Sequence, residues 1–354
     1  MRVLLIQYKM LGDVLTSTVV ADELKRSNPN AIVDYLIVHN AVPVVQGHPA
    51  IDNLILVKPQ EFSSLAGIIT LSRKLNNNKY THIFDAYSKN NSGFLCSLLK
   101  AEHKIGYDKW FGFLAYQEKV SDQADKQQFP SGWAIGSRLR LLEPITDDID
   151  YSVKPRIHLT ETEVESGKQW LEQSGAQLDK SITMISVLGS SEVKTLPFAT
   201  MAQLLNHLVE KTNTQIFFNY IPSQKDDAFA IYHLCKPQTR EHILIDDFTA
   251  SLRDFLKVLA NCTAIIGNEG GAINMAKALD IPSFSIYSPW VPQEAWNISE
   301  DGEQHLSVHL KDLKPELYGD KKPAAFKSNS LEMYQNFDAG LIIKSLDQFI
   351  QYHY

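Results

Sequence analysis

The sequence predicts an α/β protein built from two Rossmann-like domains that face each other across a cleft. The chain has 354 residues, of which 44% are hydrophobic, and this length suits two domains better than one. Two series of alternating strand and helix patterns, similar in size, follow one another along the chain. Such alternation is typical of doubly wound parallel sheets, which bind ligands at the carboxyl ends of their strands.

Composition and charge narrow the class of protein. The 34 basic and 41 acidic residues leave a formal net charge of −7, which argues against nucleic-acid binding driven by bulk charge. The three cysteines, Cys96, Cys235 and Cys262, are far apart and odd in number, as expected of buried thiols in a reducing compartment. The N-terminus predicts a strand rather than a signal peptide, and no apolar run is long enough to span a membrane. We therefore expect a cytoplasmic protein.

The first series of elements begins at the N-terminus. Residues 3–8 form a continuous apolar run of the kind that is buried in parallel sheets. The pattern that follows predicts strands at 31–38, 52–57 and 81–85 and helices at 14–27, 62–76 and 132–142. Between 86 and 133, lysines alternate with aromatic residues in a way that would suit an acidic or phosphorylated acceptor. Most surface lysines, however, are simply solvated.

Gly12 and Asp13 follow the first strand, which is the favoured place for a ligand in a parallel sheet. The loop lacks the G-x-G-x-x-G pattern of dinucleotide-binding proteins. Taken alone, Asp13 is better explained as a carboxylate that is stabilised by the N-terminus of the following helix. The loop by itself therefore predicts a helix start and leaves a catalytic role open.

The second series begins after a polar, proline-containing segment that ends at Lys154-Pro155 and marks a domain boundary. A polar helix at 161–173 opens it. Strands are then predicted at 182–188, 215–219, 242–245, 263–266 and 282–287, and helices at 198–211, 226–235, 252–260 and 272–279. Residues 300–330 are expected to be irregular. An amphipathic helix at 339–352 ends the chain.

A polar loop follows the first strand of this second series. It contains Ser190 and Lys194 and ends at Pro197. Hydroxyls and backbone amides bind phosphate oxygens, and a lysine adds a positive charge, so the loop suits an anion. An ordinary polar surface loop explains the same residues equally well.

A glycine pair opens the helix predicted at 272–279. Gly270 and Gly271 keep side chains away from the helix N-terminus and leave its first N–H groups available to a phosphate. Glu269 could accept hydrogen bonds from hydroxyl groups or from these amides. A tight turn between strand and helix, without a ligand, is an equally good explanation of the glycines.

Taken together and in this order, the loops resemble the signatures of the bacterial heptosyltransferases, glycosyltransferase family 9. An N-terminal strand followed by Gly12-Asp13-Val14-Leu15 is similar to the first of these signatures. Ser190, Lys194 and Pro197 match the family's Ser/Lys loop, with Leu196 in place of an aromatic residue.

The glycine turn resembles the nucleotide-sugar signature of the same family. The common form is Asp, then Ser or Thr, then Gly, with a His three residues later. This chain has Glu269, Gly270 and Gly271, followed by Asn274. Gln224 stands where family members often place a glutamate that binds the ribose.

The resemblance implies a GT-B fold with three parts. Residues 1–155 would form the acceptor-side domain, and 156–335 the domain that binds the nucleotide sugar. Residues 336–354 would form a helix that returns to the first domain.

The resemblance also implies an inverting sugar transfer that needs no metal or other cofactor. Asp13 would be the general base, and Lys194 would stabilise the leaving group. The other donor-binding residues would be Gly12, Ser190, Gln224, Glu269, Gly270, Gly271 and Asn274. The implied donor is ADP-heptose, and the implied acceptor is a Kdo-containing lipid core or a related oligosaccharide. The protein would then touch the inner membrane surface only peripherally.

Other functions stay open. The chain could be a glycosyltransferase that uses another nucleotide sugar, or a non-catalytic homologue that only binds one. A two-domain epimerase would need acid/base pairs around the sugar, and the sequence offers only Asp13 as a strong candidate. A nicotinamide-dependent dehydrogenase is disfavoured because the dinucleotide pattern is missing.

Overall fold

The computed structural model describes residues 1–121, 129–245, 249–296 and 299–354. The chain divides into two compact units, Met1–His158 and Leu159–Tyr354. Each unit holds one parallel sheet of six strands, so the predicted α/β class with two Rossmann-like domains is confirmed. Among the described residues, no helix is both long enough and apolar enough to cross a membrane.

The first unit contains one sheet with the strand order β3-β2-β1-β4-β5-β6. Its strands are β1 Arg2–Ile6, β2 Ile32–Val38, β3 Asn53–Val57, β4 His82–Asp85, β5 His103–Tyr107 and β6 Glu118–Val120. Its helices are α1 Leu11–Ser27, α2 Val42–Val45, α3 Pro59–Ser63, α4 Leu65–Asn76, α5 Asn90–Leu98, α6 Gly112–Ala115 and α7 Trp133–Leu139. The chain builds outward from β1 in one direction and then resumes at β4 on its other side. The carboxyl ends of these two strands therefore flank the topological switch point.

The second unit repeats this plan with the order β12-β11-β10-β7-β8-β9. Its strands are β7 Ile182–Ser186, β8 Gln215–Asn219, β9 Ile243–Leu244, β10 Ala264–Asn268, β11 Ser283–Ile286 and β12 His305–Val308. Its helices are α8 Glu161–Gln173, α9 Phe198–Thr212, α10 Lys225–Leu234, α11 Pro237–Arg240, α12 Leu252–Leu259, α13 Gly271–Ala278, α14 Gln293–Trp296, α15 Leu310–Leu313, α16 Ser330–Tyr334 and α17 Ala339–His353. Here the switch point lies between β7 and β10.

Burial explains why the central strands form where the sequence predicts them. All five residues of β7 and all five of β10 are buried, as expected for strands with helices on both faces. The three cysteines are free and buried, as the sequence predicted for their thiols. Burial raises the pKa of Cys235 to about 11 and that of Cys262 to about 12, so both thiols stay protonated and unreactive at neutral pH.

The last helix packs on the core of the second unit. α17 lies against α9 and β12, and the return to the first domain that the family resemblance implies stays a prediction. Ile342, Leu346 and Phe349 are fully buried in that unit's core, because the apolar stripe of the helix faces the sheet. His207 and Asp347 also join α9 to α17, with 2.6 Å between Nε2 and Oδ1.

Residues 300–330 are also more regular than the sequence predicted. They contain strand β12, whose residues pair in parallel with those of β11 from Ser283 to Ile286, and the short helix α15. β12 is an edge strand of four residues. Its pairing with β11 therefore decides its conformation, and a local sequence pattern this short does not.

Candidate active site

Asp13 lies in the first turn of α1, directly after the loop that leaves β1. That loop opens at the switch point of the first sheet, where the sequence predicted a ligand. The side chain of Asp13 is 28% exposed, so the carboxylate is accessible from solvent. A Cβ added to Gly12 would meet no atom within 4 Å, which leaves open space beside the predicted base.

Arg138 is a partner of Asp13 that the sequence analysis missed. Its Nη2 lies 2.5 Å from Asp13 Oδ1. The guanidinium is nearly buried, with 11% of the side chain exposed. Its Nε donates to Ser17 Oγ at 2.9 Å, and its Nη1 donates to the Ala134 carbonyl. Asp13 therefore belongs to an ordered ion pair and does more than cap a helix.

The lysine and aromatic stretch of the first unit has several structural roles. Lys104 Nζ donates to the carbonyls of Cys96 and Leu99 at the end of α5, at 3.3 and 3.4 Å. Lys119 pairs with Asp108 at 3.1 Å. Trp110 stays 78% exposed. Lys104 and Lys119 thus stabilise their own surroundings, and the structure gives no direct sign that they bind an acceptor.

In the second unit, Lys194 and Glu269 come together at the switch point. Lys194 lies in a short 3-10 helix after β7, and Glu269 follows β10 directly. Lys194 Nζ lies 2.9 Å from Glu269 Oε1. Glu269 is only 9% exposed. The sequence predicted both residues for the donor site, but it gave Glu269 hydroxyl or amide partners where the structure gives it a lysine.

Trp290 brings a second lysine to this group. Lys194 Nζ lies 5.5 Å from the centre of the Trp290 ring, and Lys327 Nζ lies 4.8 Å from it. Both distances suit cation–π attraction. Nothing in the sequence around Lys327 distinguishes it from a solvated surface lysine, so the sequence did not predict its position. The result is a positive patch made of Lys194, Lys327 and the face of Trp290.

The glycine turn leaves the start of α13 open. Gly270 precedes the helix with φ 154°, and no side chain caps its N–H groups. A Cβ at Gly270 would meet no atom within 4 Å. The exposed N-terminus of α13 therefore has room for an anion, as the sequence predicted. Asn274 is half-buried in the first turn, where its backbone N–H bonds to the Gly270 carbonyl at 3.2 Å.

Gly267 allows β7 and β10 to approach closely just below the turn. Its φ is +135°, and a Cβ there would lie 2.3 Å from the Ser186 carbonyl oxygen. A side chain at this position would force the two strands apart. Because the Lys194 loop and the Glu269 turn leave from these two strands, this close approach helps to bring the two residues together.

Asn268 ties the Lys194 loop to the end of β10. Its Oδ1 accepts a hydrogen bond from the Leu196 N–H at 2.7 Å. Its Nδ2 donates to the carbonyls of Ser186 and Val187 at 3.0 and 2.9 Å. Asn268 is 1% exposed. The sequence pattern did not single out Asn268, although its position directly before Glu269 could have drawn attention to it.

The Val193 carbonyl, one residue before Lys194, accepts three hydrogen bonds. They come from Ser288 Oγ at 2.7 Å, Trp290 Nε1 at 3.0 Å and Ser330 Oγ at 2.9 Å. The loop that carries Lys194 is thereby connected to the loop after β11 and to the start of α16. These bonds restrict the positions that Lys194 can take.

Ser190 and Gln224 lie on or beside the same loop. Ser190 is exposed, which leaves its hydroxyl accessible. Gln224 Nε2 donates to the Gly189 carbonyl at 3.0 Å, and its Oε1 accepts from the Ile221 N–H at 3.3 Å. Gln224 therefore supports the polar loop directly, in addition to any contact with a ligand.

The buried hydroxyl of Tyr287, which lies near Glu269, stays protonated at neutral pH. Burial, and to a smaller degree the charges of Glu269 and Glu300, raises the pKa of Tyr287. In the ranges that the structure describes, no group of three or more His, Cys, Asp or Glu side chains is arranged to hold a metal ion. The charged groups that define this site are thus Lys194, Glu269 and Lys327, together with the helix start.

Comparison with protein families gives a match over most of the chain. The model of Glycosyltransferase family 9 (heptosyltransferase) matches residues 68–321. Lipopolysaccharide heptosyltransferase 1 of Campylobacter coli is 23% identical over 298 residues, which cover 81% of this chain and 84% of that protein.

Solved structures extend the similarity to nearly the whole chain. The glycosyl transferase family 9 structure from Veillonella parvula has a TM-score of 0.74 at 15% identity and covers 97% of each chain. E. coli ADP-heptose LPS heptosyltransferase II has a TM-score of 0.69 at 16% identity, covering 97% of this chain and 99% of that one. These similarities confirm the predicted GT-B fold class.

Proposed function

The chain belongs to glycosyltransferase family 9, and on that premise we propose that it transfers heptose from ADP-heptose to a lipopolysaccharide-core acceptor. The relative from E. coli is named for this donor and this acceptor. The observation that supports the proposal most directly is the pairing of Lys194 with Glu269 beside the open N-terminus of α13. A cation and free helix N–H groups together suit a diphosphate.

Lys194 can hold the donor without losing Glu269. An ammonium group has three N–H donors, and the bond to Glu269 uses one of them. The others are available to diphosphate oxygens, which the N–H groups at the start of α13 would bind as well. In this proposal the Gly270-Gly271 turn gives the phosphates access, and the exposed Ser190 hydroxyl adds a hydrogen bond.

The remaining donor contacts involve the sugar and the ribose. Glu269 accepts hydrogen bonds from sugar hydroxyls with the oxygen that does not bind Lys194, and Asn274 contacts the same part of the donor. Gln224 is assigned to the ribose, which an amide can bind without a charge. Gly12 leaves room for the donor beside Asp13.

Asp13 acts as the general base in the proposed reaction. Its carboxylate takes the proton from an acceptor hydroxyl, whose oxygen then attacks the anomeric carbon opposite the leaving group. The new C–O bond forms as the bond to the diphosphate breaks, and ADP leaves with the electron pair. The configuration at the anomeric carbon is therefore inverted. Lys194 and the α13 N-terminus stabilise the negative charge that develops on ADP, so the scheme uses no metal ion.

The acceptor side of the proposal is less specific. We propose a lipid-linked or oligosaccharide acceptor, which the protein meets in the cytoplasm at the inner membrane surface. The exposed Trp110 supports this, since aromatic side chains favour the membrane interface.

Donor binding tests this proposal by calorimetry. ADP-heptose, ADP, UDP-GlcNAc and GDP-mannose are titrated into the wild type, Lys194→Ala and the control Lys211→Ala, which removes an exposed lysine on α9. We expect the wild type to bind only the ADP species. Lys194→Ala should weaken that binding about 10- to 100-fold, as for a charge-assisted hydrogen bond, and Lys211→Ala should not weaken it.

Other outcomes would change the assignment. Preferential binding of UDP or GDP sugars would retain glycosyl transfer but reject ADP-heptose as the donor. Equal affinities of wild type and Lys194→Ala would remove Lys194 from the donor site. Failure to bind any of the four compounds would favour a non-catalytic homologue.

A further inference from the structure

We infer that Arg138 is a positioning residue that holds the carboxylate of Asp13 in the orientation needed for proton transfer. Arg138 occupies one oxygen, Oδ1, and leaves Oδ2 to receive the proton of the acceptor hydroxyl. The inference rests on the proposed role of Asp13 as the general base. It adds a residue from α7, 125 positions along the chain from Asp13, which no signature loop contains.

The hydrogen bonds of Arg138 fix the plane of its guanidinium. Nε donates to Ser17 Oγ at 2.9 Å, Nη1 donates to the Ala134 carbonyl, and Nη2 donates to Asp13 Oδ1 at 2.5 Å. Each of the three nitrogen atoms thus has its own partner. Because a guanidinium is planar and rigid, three bonds in different directions leave it little freedom to rotate.

Hydrogen bonds of Ser17, in α1, and Gln7, directly after β1, support the position of Arg138. Ser17 is fully buried, and its hydroxyl lies 3.5 Å from Gln7 Oε1. Gln7 is 2% exposed, and its Nε2 donates to the Lys9 carbonyl at 2.8 Å. The network therefore runs from the turn before Asp13 to α7 and back to Asp13 itself.

Arg138 has two effects on the carboxylate. Its positive charge attracts the carboxylate and holds Oδ1 in a charge-assisted hydrogen bond. Its single ion pair with Oδ1 also restricts rotation of the carboxylate, while 28% of the Asp13 side chain stays exposed to a substrate. A lysine in place of Arg138 would keep the charge but lose the fixed plane, so substitution can separate the two effects.

The main alternative is that Arg138 only ties α7 to α1. Such a residue would affect stability, and its variants would lose kcat only in proportion to their unfolding. The variants needed are therefore Arg138→Lys, Arg138→Met and Ser17→Ala. Arg140→Met is the matched control, because Arg140 lies two residues away and bonds to Glu143 and the Ser121 carbonyl, away from Asp13.

The experiment measures kcat, the donor KM, the pH profile of kcat and the thermal unfolding midpoint of each variant. We expect kcat to fall about 10- to 100-fold in Arg138→Lys, because a small misplacement of a catalytic group costs that much. Its donor KM should stay within about 2-fold of the wild type, and its pH profile should be unchanged. Arg140→Met should match the wild type.

Arg138→Met removes both the charge and the fixed plane, so it should lose more kcat than Arg138→Lys while its donor KM stays within about 2-fold of the wild type. Ser17→Ala keeps both charges and should lower kcat about 3- to 10-fold without moving the pH profile. This milder variant keeps the test valid if Arg138→Met does not fold.

The outcomes separate this inference from the proposed function. If Asp13→Ala abolishes transfer but Arg138→Lys and Ser17→Ala keep wild-type kcat, the positioning role is wrong and the base assignment stands. If Asp13→Ala transfers normally, the base assignment itself fails. If the Arg138 variants lose kcat only in proportion to their unfolding, Arg138 is a structural tie and the inference is overturned.

Discussion

Asn268 shows how much of the candidate site depends on a single buried side chain. It forms three hydrogen bonds. One joins the end of β10 to the Leu196 N–H, and two join it to the carbonyls of Ser186 and Val187 at the end of β7. Buried polar groups are costly when they lose their partners. This residue therefore contributes to the stability of the second unit and to the position of the Lys194 loop at the same time.

We predict that Asn268→Ala lowers the free energy of unfolding by about 2–4 kcal/mol, since it removes three hydrogen bonds to buried backbone groups. Donor affinity should fall as well, because the Lys194 loop loses its attachment. Asn268→Asp keeps the acceptor for Leu196 but sets an oxygen against two carbonyls, so it should also destabilise. Denaturant unfolding and calorimetry measure both effects.

The control for this prediction is Asn206→Ala. Asn206 accepts one exposed hydrogen bond, from the Lys236 N–H, and its loss should change stability by less than about 0.5 kcal/mol. Wild-type stability and donor affinity in Asn268→Ala would show that other contacts hold the loop.

At the scale of single residues, the sequence pointed to Lys194 and Glu269 but did not pair them, and it singled out neither Lys327 nor Arg138. Lys194 and Glu269 were both predicted because the loops that contain them resemble the signatures of the family. Their ion pair joins residues 75 positions apart, and Arg138 is 125 positions from Asp13. Contacts at such separations depend on strand order, which local patterns do not specify.

At the scale of elements, most inner strands and the long helices could be predicted because burial imposes a clear apolar pattern on them. The inner strand β5, which contains His103 and Lys104, lacks that pattern and was not predicted. The edge strands β6 and β12 could not be predicted either. Each has three or four residues, and β12 lies in a stretch expected to be irregular. Pairing with a neighbour determines such strands, and their own sequences contribute little.

Helices α8 and α12 are joined by an ion pair that should make the second unit sensitive to acid. Arg253 Nε and Nη2 lie 2.7 and 2.8 Å from the two oxygens of Glu163. The hydrogen bond from Arg253 is the main reason why the pKa of Glu163 is lowered to about 2. A lowered pKa means that the pair stabilises the fold above pH 4.5 and loses this effect as the pH falls towards 2.

We predict that Glu163→Gln lowers the free energy of unfolding at pH 7 by about 1–3 kcal/mol. The variant should also lose less stability than the wild type between pH 5 and pH 2, because it has no carboxylate to protonate there. Glu165→Gln, on the exposed face of the same helix, is the control. The free energy of unfolding of each protein is measured at several pH values. An equal loss of that free energy between pH 5 and pH 2 in the wild type and both variants would contradict this prediction.

At the scale of the whole molecule, two units with the same sheet plan each contribute one part of the proposed chemistry. The first unit holds Asp13 at the β1–β4 switch point, and the second holds Lys194 and Glu269 at the β7–β10 switch point. The sequence predicted this division because both strand series and the three loops occur in order.

The most direct test of the central claim is the rate of heptosyl transfer by Asp13→Asn, measured with ADP-heptose and a Kdo-containing oligosaccharide acceptor. The account predicts a loss of at least about 100-fold in kcat, the usual contribution of a general base. Donor affinity should stay within about 2-fold of the wild type, and NMR of the wild-type product should show an inverted anomeric centre. Transfer by Asp13→Asn at the wild-type rate, or a product with retained configuration, would contradict the account.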